Sequence, residues 1–245
     1  MENSAKAATC PTRREGRSYP NSPRGGRLPH ATFRLAARLF VGLLAQDALA
    51  GGPPPGFARL AEVAPAIAQE MRYAGPDNFT GKPVPGYGAA QCWLRLQAAR
   101  ALARAQDLAH ARGFDLVVYD CYRPKRAVAA FVDWSRDPGE ATKPDYYPNV
   151  DKRALFAQGY IAMQSTHSTG LAVDIGVKGW DFGAPFDYFD ERSWTKSRVS
   201  AAAHSRREKL VALMRRVGFE NYPREWWHFT FKSRGKIEAL DAPIE

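Results

Sequence analysis

The sequence predicts an α+β domain, with a small, mainly antiparallel sheet and flanking helices. Two observations carry that prediction. Helix-like and strand-like segments are interspersed without a regular βαβ rhythm. The strand-like runs are short, while three longer segments repeat apolar residues at helical spacing.

Residues 1–30 are polar, basic and rich in Pro, Gly and Ser, so they cannot bury a core and are expected to be disordered. Arg34 and Arg38 then precede the apolar run Leu39-Phe40-Val41-Gly42-Leu43-Leu44-Ala45, and Ala48-Leu49-Ala50 offers a small-x-small cleavage site. That order is the order of a secretory signal peptide; the plainer alternative is an amphipathic N-terminal helix. The expected organisation is a leader over residues 1–50, a linker over 51–56 and one domain over 57–245. The expected location is periplasmic, or cytoplasmic if the leader is not processed.

Within the domain, residues 67–73 suit a strand. Residues 89–112 suit a long helix, with Leu94, Ala98, Leu102, Ala105 and Ala109 in register and Gly113 at its end. Residues 114–119 form a buried strand, and Pro124 suits the first turn of a second helix that reaches about residue 134. Residues 135–160 resemble a loop, 171–177 a strand, 201–217 a third helix stopped by Gly218, and 227–231 a closing strand.

Composition narrows the function. The chain has 245 residues, 45% of them hydrophobic, enough for one ordinary domain plus an appendage. It holds no run of 18 apolar residues, so no membrane-spanning helix is expected in the mature chain. Half of the +10 net charge lies in residues 1–50, and no RNA-recognition signature or basic-aromatic run occurs, so nucleic acid is not an expected partner. The cysteines are Cys10, Cys92 and Cys121; the absence of Cys-x-x-Cys excludes a cysteine zinc knuckle. Cys92 and Cys121 are either paired or two buried thiols.

The chemistry concentrates in two stretches, Ser165-Thr166-His167-Ser168-Thr169-Gly170-Leu171-Ala172-Val173-Asp174 and Glu225-Trp226-Trp227-His228. His167, Asp174 and His228 supply two nitrogen donors and one oxygen donor, a set that suits zinc with a fourth position open. Glu225 is then a candidate general base. A His-x6-Asp pair alone is weak evidence, because most histidines are structural; adding Glu-x-x-His brings ligands and base together. Arg123, at a strand-to-helix junction, can stabilise a tetrahedral oxyanion. On spacing alone a surface pair with Asp120 is the plainer role. His30, His110 and His204 are assigned none.

These motifs resemble the D-alanyl-D-alanine dipeptidases, zinc metallopeptidases related in fold to the zinc D,D-carboxypeptidases and the hedgehog signalling domain. Arg72-Tyr73-Ala74 with Asp77-Asn78-Phe79-Thr80-Gly81-Lys82-Pro83-Val84, Asp120-x-Tyr122-Arg123-Pro124 and Phe186-Asp187-x-Phe189-Asp190-Glu191-Arg192-Ser193 extend the likeness over residues 60–231. The resemblance implies one zinc ion per chain on His167, Asp174 and His228, with Glu225 as base and Arg123 steadying the transition state. It implies that Tyr73, Ser165 and Asp187 hold the ends of a bound D-Ala-D-Ala dipeptide, Asp187 meeting the ammonium. A small closed pocket would exclude longer peptides, in which the next residue replaces that ammonium. Recycling of peptidoglycan-derived dipeptides is the expected role. The rivals are a D,D-carboxypeptidase or endopeptidase on the same fold, and a zinc-stabilised binding module without catalysis.

Overall fold

A computed structural model describes residues 51–245. The expected leader and signal segment, with Cys10 and His30, lie outside the described residues. In chain order the elements are β1 (Phe57–Arg59), α1 (Leu60–Val63), β2 (Ala68–Gln69), β3 (Trp93–Arg95), α2 (Leu96–His110), β4 (Leu116–Asp120), α3 (Lys125–Arg136), α4 (Lys143–Tyr146), β5 (Ala172–Val177), α5 (Ala201–Arg216), β6 (Phe219–Asn221) and β7 (His228–Phe231). Five strands form one sheet in the order β2-β4-β5-β7-β6, and β1 with β3 forms a separate ribbon. Only β2 and β4 run parallel, so the sheet is mainly antiparallel, as the sequence predicts.

Pairing puts the chemistry in one row. Asp120 on β4 stands opposite Asp174 on β5, which stands opposite His228 on β7. Directly opposed residues of antiparallel strands face the same side, so these three side chains project together. Their neighbours Val173, Ile175 and Phe229 alternate to the other side and are fully buried in the core. No helix among the described residues is long and apolar enough to cross a membrane.

Several elements depart from the expected ones. The helix expected from residue 89 starts at Leu96, because Phe57, Ala58 and Arg59 pair with Arg95, Leu94 and Trp93 and draw that stretch into a strand. The strand expected over 67–73 shrinks to β2. Tyr73 lies instead in a 3-10 turn over Arg72–Ala74. The Asn78 amide holds this loop by donating to the carbonyls of Arg72, Gly75 and Lys82 at 3.3, 2.7 and 3.0 Å. Pro124 caps α3 rather than opening it. Residues 135–160 contain the short helix α4, and β6 forms a hairpin with β7 after Gly218, at φ +98°, stops α5. Cys92 and Cys121 are disulfide-bonded, with their Cα atoms 5.3 Å apart.

Candidate metal centre and its pocket

His167 sits in a 3-10 turn, Thr166–Thr169, that begins where Ser165 Oγ accepts a bond from the His167 N–H at 3.2 Å. The turn ends at Gly170, φ +75°, where a Cβ would stand 2.1 Å from the Phe57 ring, so no other residue fits. This short turn swings His167 over β5, seven residues before Asp174 in sequence but adjacent in space.

Three donor atoms converge there. His167 Nε2 lies 3.2 Å from Asp174 Oδ1 and 3.0 Å from His228 Nδ1, which lies 3.0 Å from the same Oδ1. Ligands about 2.0–2.1 Å from a tetrahedral ion stand about 3.3 Å apart, so the triangle fits a small cation. Both imidazoles are oriented from behind. A carbonyl can only accept, so His167 Nδ1 must carry its proton to donate to the Cys121 carbonyl at 2.6 Å; Nε2 is left bare. His228 Nε2 meets the hydroxyls of Thr166 and Thr230, both at 3.3 Å, which leaves Nδ1 to face the triangle. Burial opposes ionisation of Asp174, but His167 and His228 outweigh it and hold the carboxyl well below the usual carboxylate range. These residues could hold a metal ion.

Glu225 stands beside this group, its Oε2 3.8 Å from His228 Nδ1. The intervening tryptophans explain why. Trp226 stacks on Phe182 with ring centroids 4.0 Å apart, and Trp227 packs edge-on to Phe186 at 5.4 Å. The Asn221 amide donates to the carbonyls of Glu225 and His228 at 2.9 and 3.0 Å and ties the turn. With both indoles in the core, Glu225 and His228 line the cavity. Burial pushes the Glu225 carboxyl up to about 7, with His228 pulling it the other way.

Arg123 is not a surface residue. Its Nη2 meets Asp120 Oδ2 at 2.8 Å and lies 3.7 Å from Asp174 Oδ2, and its guanidinium lies over the Tyr73 and Phe131 rings at 5.1 and 5.2 Å. Burial works against its charge, but Asp120 together with Tyr73, Tyr87 and Asp174 outweighs that and keeps it protonated. Tyr73 donates its hydroxyl to Asp187 Oδ2 at 2.8 Å. Burial pushes the Asp187 carboxyl well above its ordinary value.

All eight residues singled out from the sequence line one cavity of about 450 Å³. That is larger than the tight pocket expected, and within the usual range for small-molecule sites. Asp120, Tyr87 and the threonine hydroxyls were not singled out. Asp120 carried a signal, its place in Asp-x-Tyr-Arg-Pro; Tyr87, which donates to Asp120 Oδ1 at 2.7 Å, carried none.

Comparison with known proteins agrees with this geometry. The peptidase M15 family model, described as D-Ala-D-Ala dipeptidase, matches residues 55–242. The chain is 38% identical to a D-alanyl-D-alanine dipeptidase of Enterococcus faecium, over 78% of this chain and 98% of that protein. Proteins of the same name match from Enterococcus faecalis at 39% identity, over 71% of this chain and 90% of that one, and from Streptomyces coelicolor at 38%, over 77% and 98%.

Proposed function

This chain belongs to the peptidase M15 family of D-Ala-D-Ala dipeptidases, and from that membership we propose that it hydrolyses the free dipeptide D-Ala-D-Ala, with one water, to two molecules of D-alanine. The observation that carries this reading is the triangle of His167, Asp174 and His228 with the Glu225 carboxylate beside it.

His167 Nε2, Asp174 Oδ1 and His228 Nδ1 would hold one zinc ion. When bound, zinc supplies Lewis acidity at the scissile carbonyl and makes the attacking water more acidic. Glu225 takes a proton from that water and delivers it to the amine nitrogen as the peptide bond breaks. Burial raises this carboxyl above the ordinary carboxylate range, which suits a group that first takes a proton and then returns it. Arg123, pinned by Asp120, offers its guanidinium to the carbonyl oxygen as that oxygen gains charge. Asp187, oriented by the Tyr73 hydroxyl, meets the substrate ammonium. Ser165 Oγ accepts from the His167 N–H, so its own proton is free to go to the substrate carboxylate.

The purified protein is expected to hold one zinc per chain and to release D-alanine from D-Ala-D-Ala, not from L-Ala-L-Ala. Activity should vanish on chelation and return with zinc. Absence of bound metal would sink the reading. Cleavage of a pentapeptide stem as fast as the dipeptide would move it to a D,D-carboxypeptidase, and full activity in Glu225→Gln would remove the assigned base.

We also infer export and a recycling role. The leader pattern of residues 34–50 supports export, as does a disulfide, which persists in oxidising compartments. Full-length, unprocessed protein in the cytosol, found by fractionation and N-terminal sequencing, would overturn this.

A further inference from the structure

We propose that the Cys92–Cys121 disulfide positions the first metal ligand, and that the affinity of the site for its metal depends on that bond. The inference rests on the reading of His167 as a ligand. It concerns the backbone behind the imidazole rather than the imidazole itself.

His167 Nδ1 donates to the Cys121 carbonyl at 2.6 Å, while the nearest alternative, Asp120 Oδ2, is 3.4 Å away. Partners behind a metal-binding imidazole fix its tautomer and ring angle, and losing one typically costs about 10–100-fold in metal affinity. Here the partner is a carbonyl, so its position depends on what holds the backbone at residue 121.

The sheet does not hold it. The pairing of β4 with β5 becomes irregular between Val118 and Asp120 and ends with the pair Asp120 and Asp174. Cys121 lies just past that end. Beyond it, Tyr122 N donates to the Trp93 carbonyl at 2.9 Å and Arg123 N to the His167 carbonyl at 3.3 Å. The first of these leads back to the β1–β3 ribbon, and so does the disulfide.

Cys92 is well anchored. Its N–H donates to Gln69 Oε1 at 2.9 Å, its carbonyl accepts from Leu60 N at 2.8 Å, and Trp93, next in the chain, is fully buried in β3. The S–S bond joins this fixed point to Cys121 across 29 residues of sequence. The ribbon thus lends its rigidity to the carbonyl on which His167 rests. Arg123, two residues further on, shares the same brace.

The test compares three forms of the full chain: oxidised wild type, the double variant Cys92→Ala/Cys121→Ala, and wild type treated with a water-soluble phosphine. The phosphine takes an oxygen from water and becomes its oxide, while the S–S bond becomes two thiols. Zinc affinity is measured by competition with a chromophoric chelator, and cobalt(II) absorption reports the ligand geometry. The double variant and the reduced protein are expected to bind zinc about ten-fold more weakly and to show a shifted cobalt spectrum. At saturating zinc their KM for D-Ala-D-Ala should match that of the oxidised protein.

A lower melting temperature with zinc affinity within two-fold of the oxidised form would show a structural staple only and overturn the proposal. So would two free thiols in protein purified from an oxidising compartment. If the double variant does not fold, the phosphine-treated protein decides. His167→Ala separates the two levels of the argument. Wild-type zinc affinity in that variant would refute the ligand assignment itself, whereas weak binding there with an unchanged reduced form would refute only the brace.

Discussion

Arg123 and Asp120 form an enclosed ion pair, Nη2 to Oδ2 at 2.8 Å, with Asp120 wholly buried and its other oxygen taken by the Tyr87 hydroxyl. The pair fixes the guanidinium 3.7 Å from Asp174, at the edge of the metal triangle. Removing either partner should therefore have different effects on activity and on stability. Arg123→Ala takes away a donor used in the transition state, so kcat should fall by about 10²–10³ with KM little changed. Asp120→Asn leaves a buried cation short of its counter-charge and should cost about 3 kcal/mol of stability, read by urea denaturation. A kcat within a few-fold of wild type in Arg123→Ala would remove the arginine from the chemistry.

The second prediction concerns pH. Burial raises the Glu225 carboxyl from 4.5 to about 7, and a bound dication pulls it back down. A general base works only when deprotonated, so kcat/KM should fall as pH drops, with the acid limb between 4.5 and 7. Glu225→Gln should lose about 10²–10⁴ in kcat. An acid limb that persists unchanged on the residual activity of Glu225→Gln would assign it to another group.

The metal triad and its carboxylate were legible as short-range pairs of chemically telling types, His167 with Asp174 and Glu225 with His228, whereas spacing alone favoured a surface role for Arg123 and only the family resemblance pointed to the pocket. The layer behind the triad was not legible. Thr166, from the turn before β5, reaches His228 Nε2 across 62 residues of sequence, where it joins Thr230 of the same strand as His228, and Tyr87 reaches Asp120 across 33 residues. No local spacing encodes the meeting of Thr166 with His228 or of Tyr87 with Asp120. The same holds for the fold. The long helices show in their periodicity, but β1 and β6, three residues each, are too short to show a period. They exist because β3 and β7 offer them a partner, and β1 in turn makes a strand of residues that read as the start of a helix.

Arg207 supplies the third prediction. Its guanidinium is fully buried and donates to the carbonyls of Phe182, Trp194 and Arg192 at 2.7, 2.6 and 2.8 Å. Among the described residues no carboxylate lies within salt-bridge range of it, and burial lowers its pKa to about 10. It clamps both ends of the segment that carries Asp187. Arg207→Met would leave the Phe182 and Arg192 carbonyls without this donor, while the Trp194 carbonyl keeps Ser197 N at 2.9 Å, and should cost about 1–3 kcal/mol. Arg207→Lys keeps the charge but not the planar fan, and should recover only part of the loss in urea denaturation.

Asp187 decides what enters the pocket. It is the only non-glycine among the described residues with positive φ, at +58°, a conformation aspartate tolerates better than most side chains. Tyr73 fixes this carboxyl where a free amino terminus can meet it; burial favours its neutral form, and an arriving ammonium supplies the counter-charge that ionises it. A cavity of about 450 Å³ does not reject longer peptides by closure alone, so selection for the dipeptide falls on this charge. Asp187→Asn keeps the shape and removes the charge. A charge-assisted hydrogen bond is worth about 1.5–3 kcal/mol, so KM for D-Ala-D-Ala should rise about 10–100-fold. N-acetyl-D-Ala-D-Ala, which has no ammonium to lose, should be cleaved no more slowly than by wild type. Tyr73→Phe should shift KM in the same direction by less, because the carboxylate stays while its orienting bond goes. Equal losses on free and acetylated dipeptides would place Asp187 in the scaffold and leave the choice of substrate to some other contact.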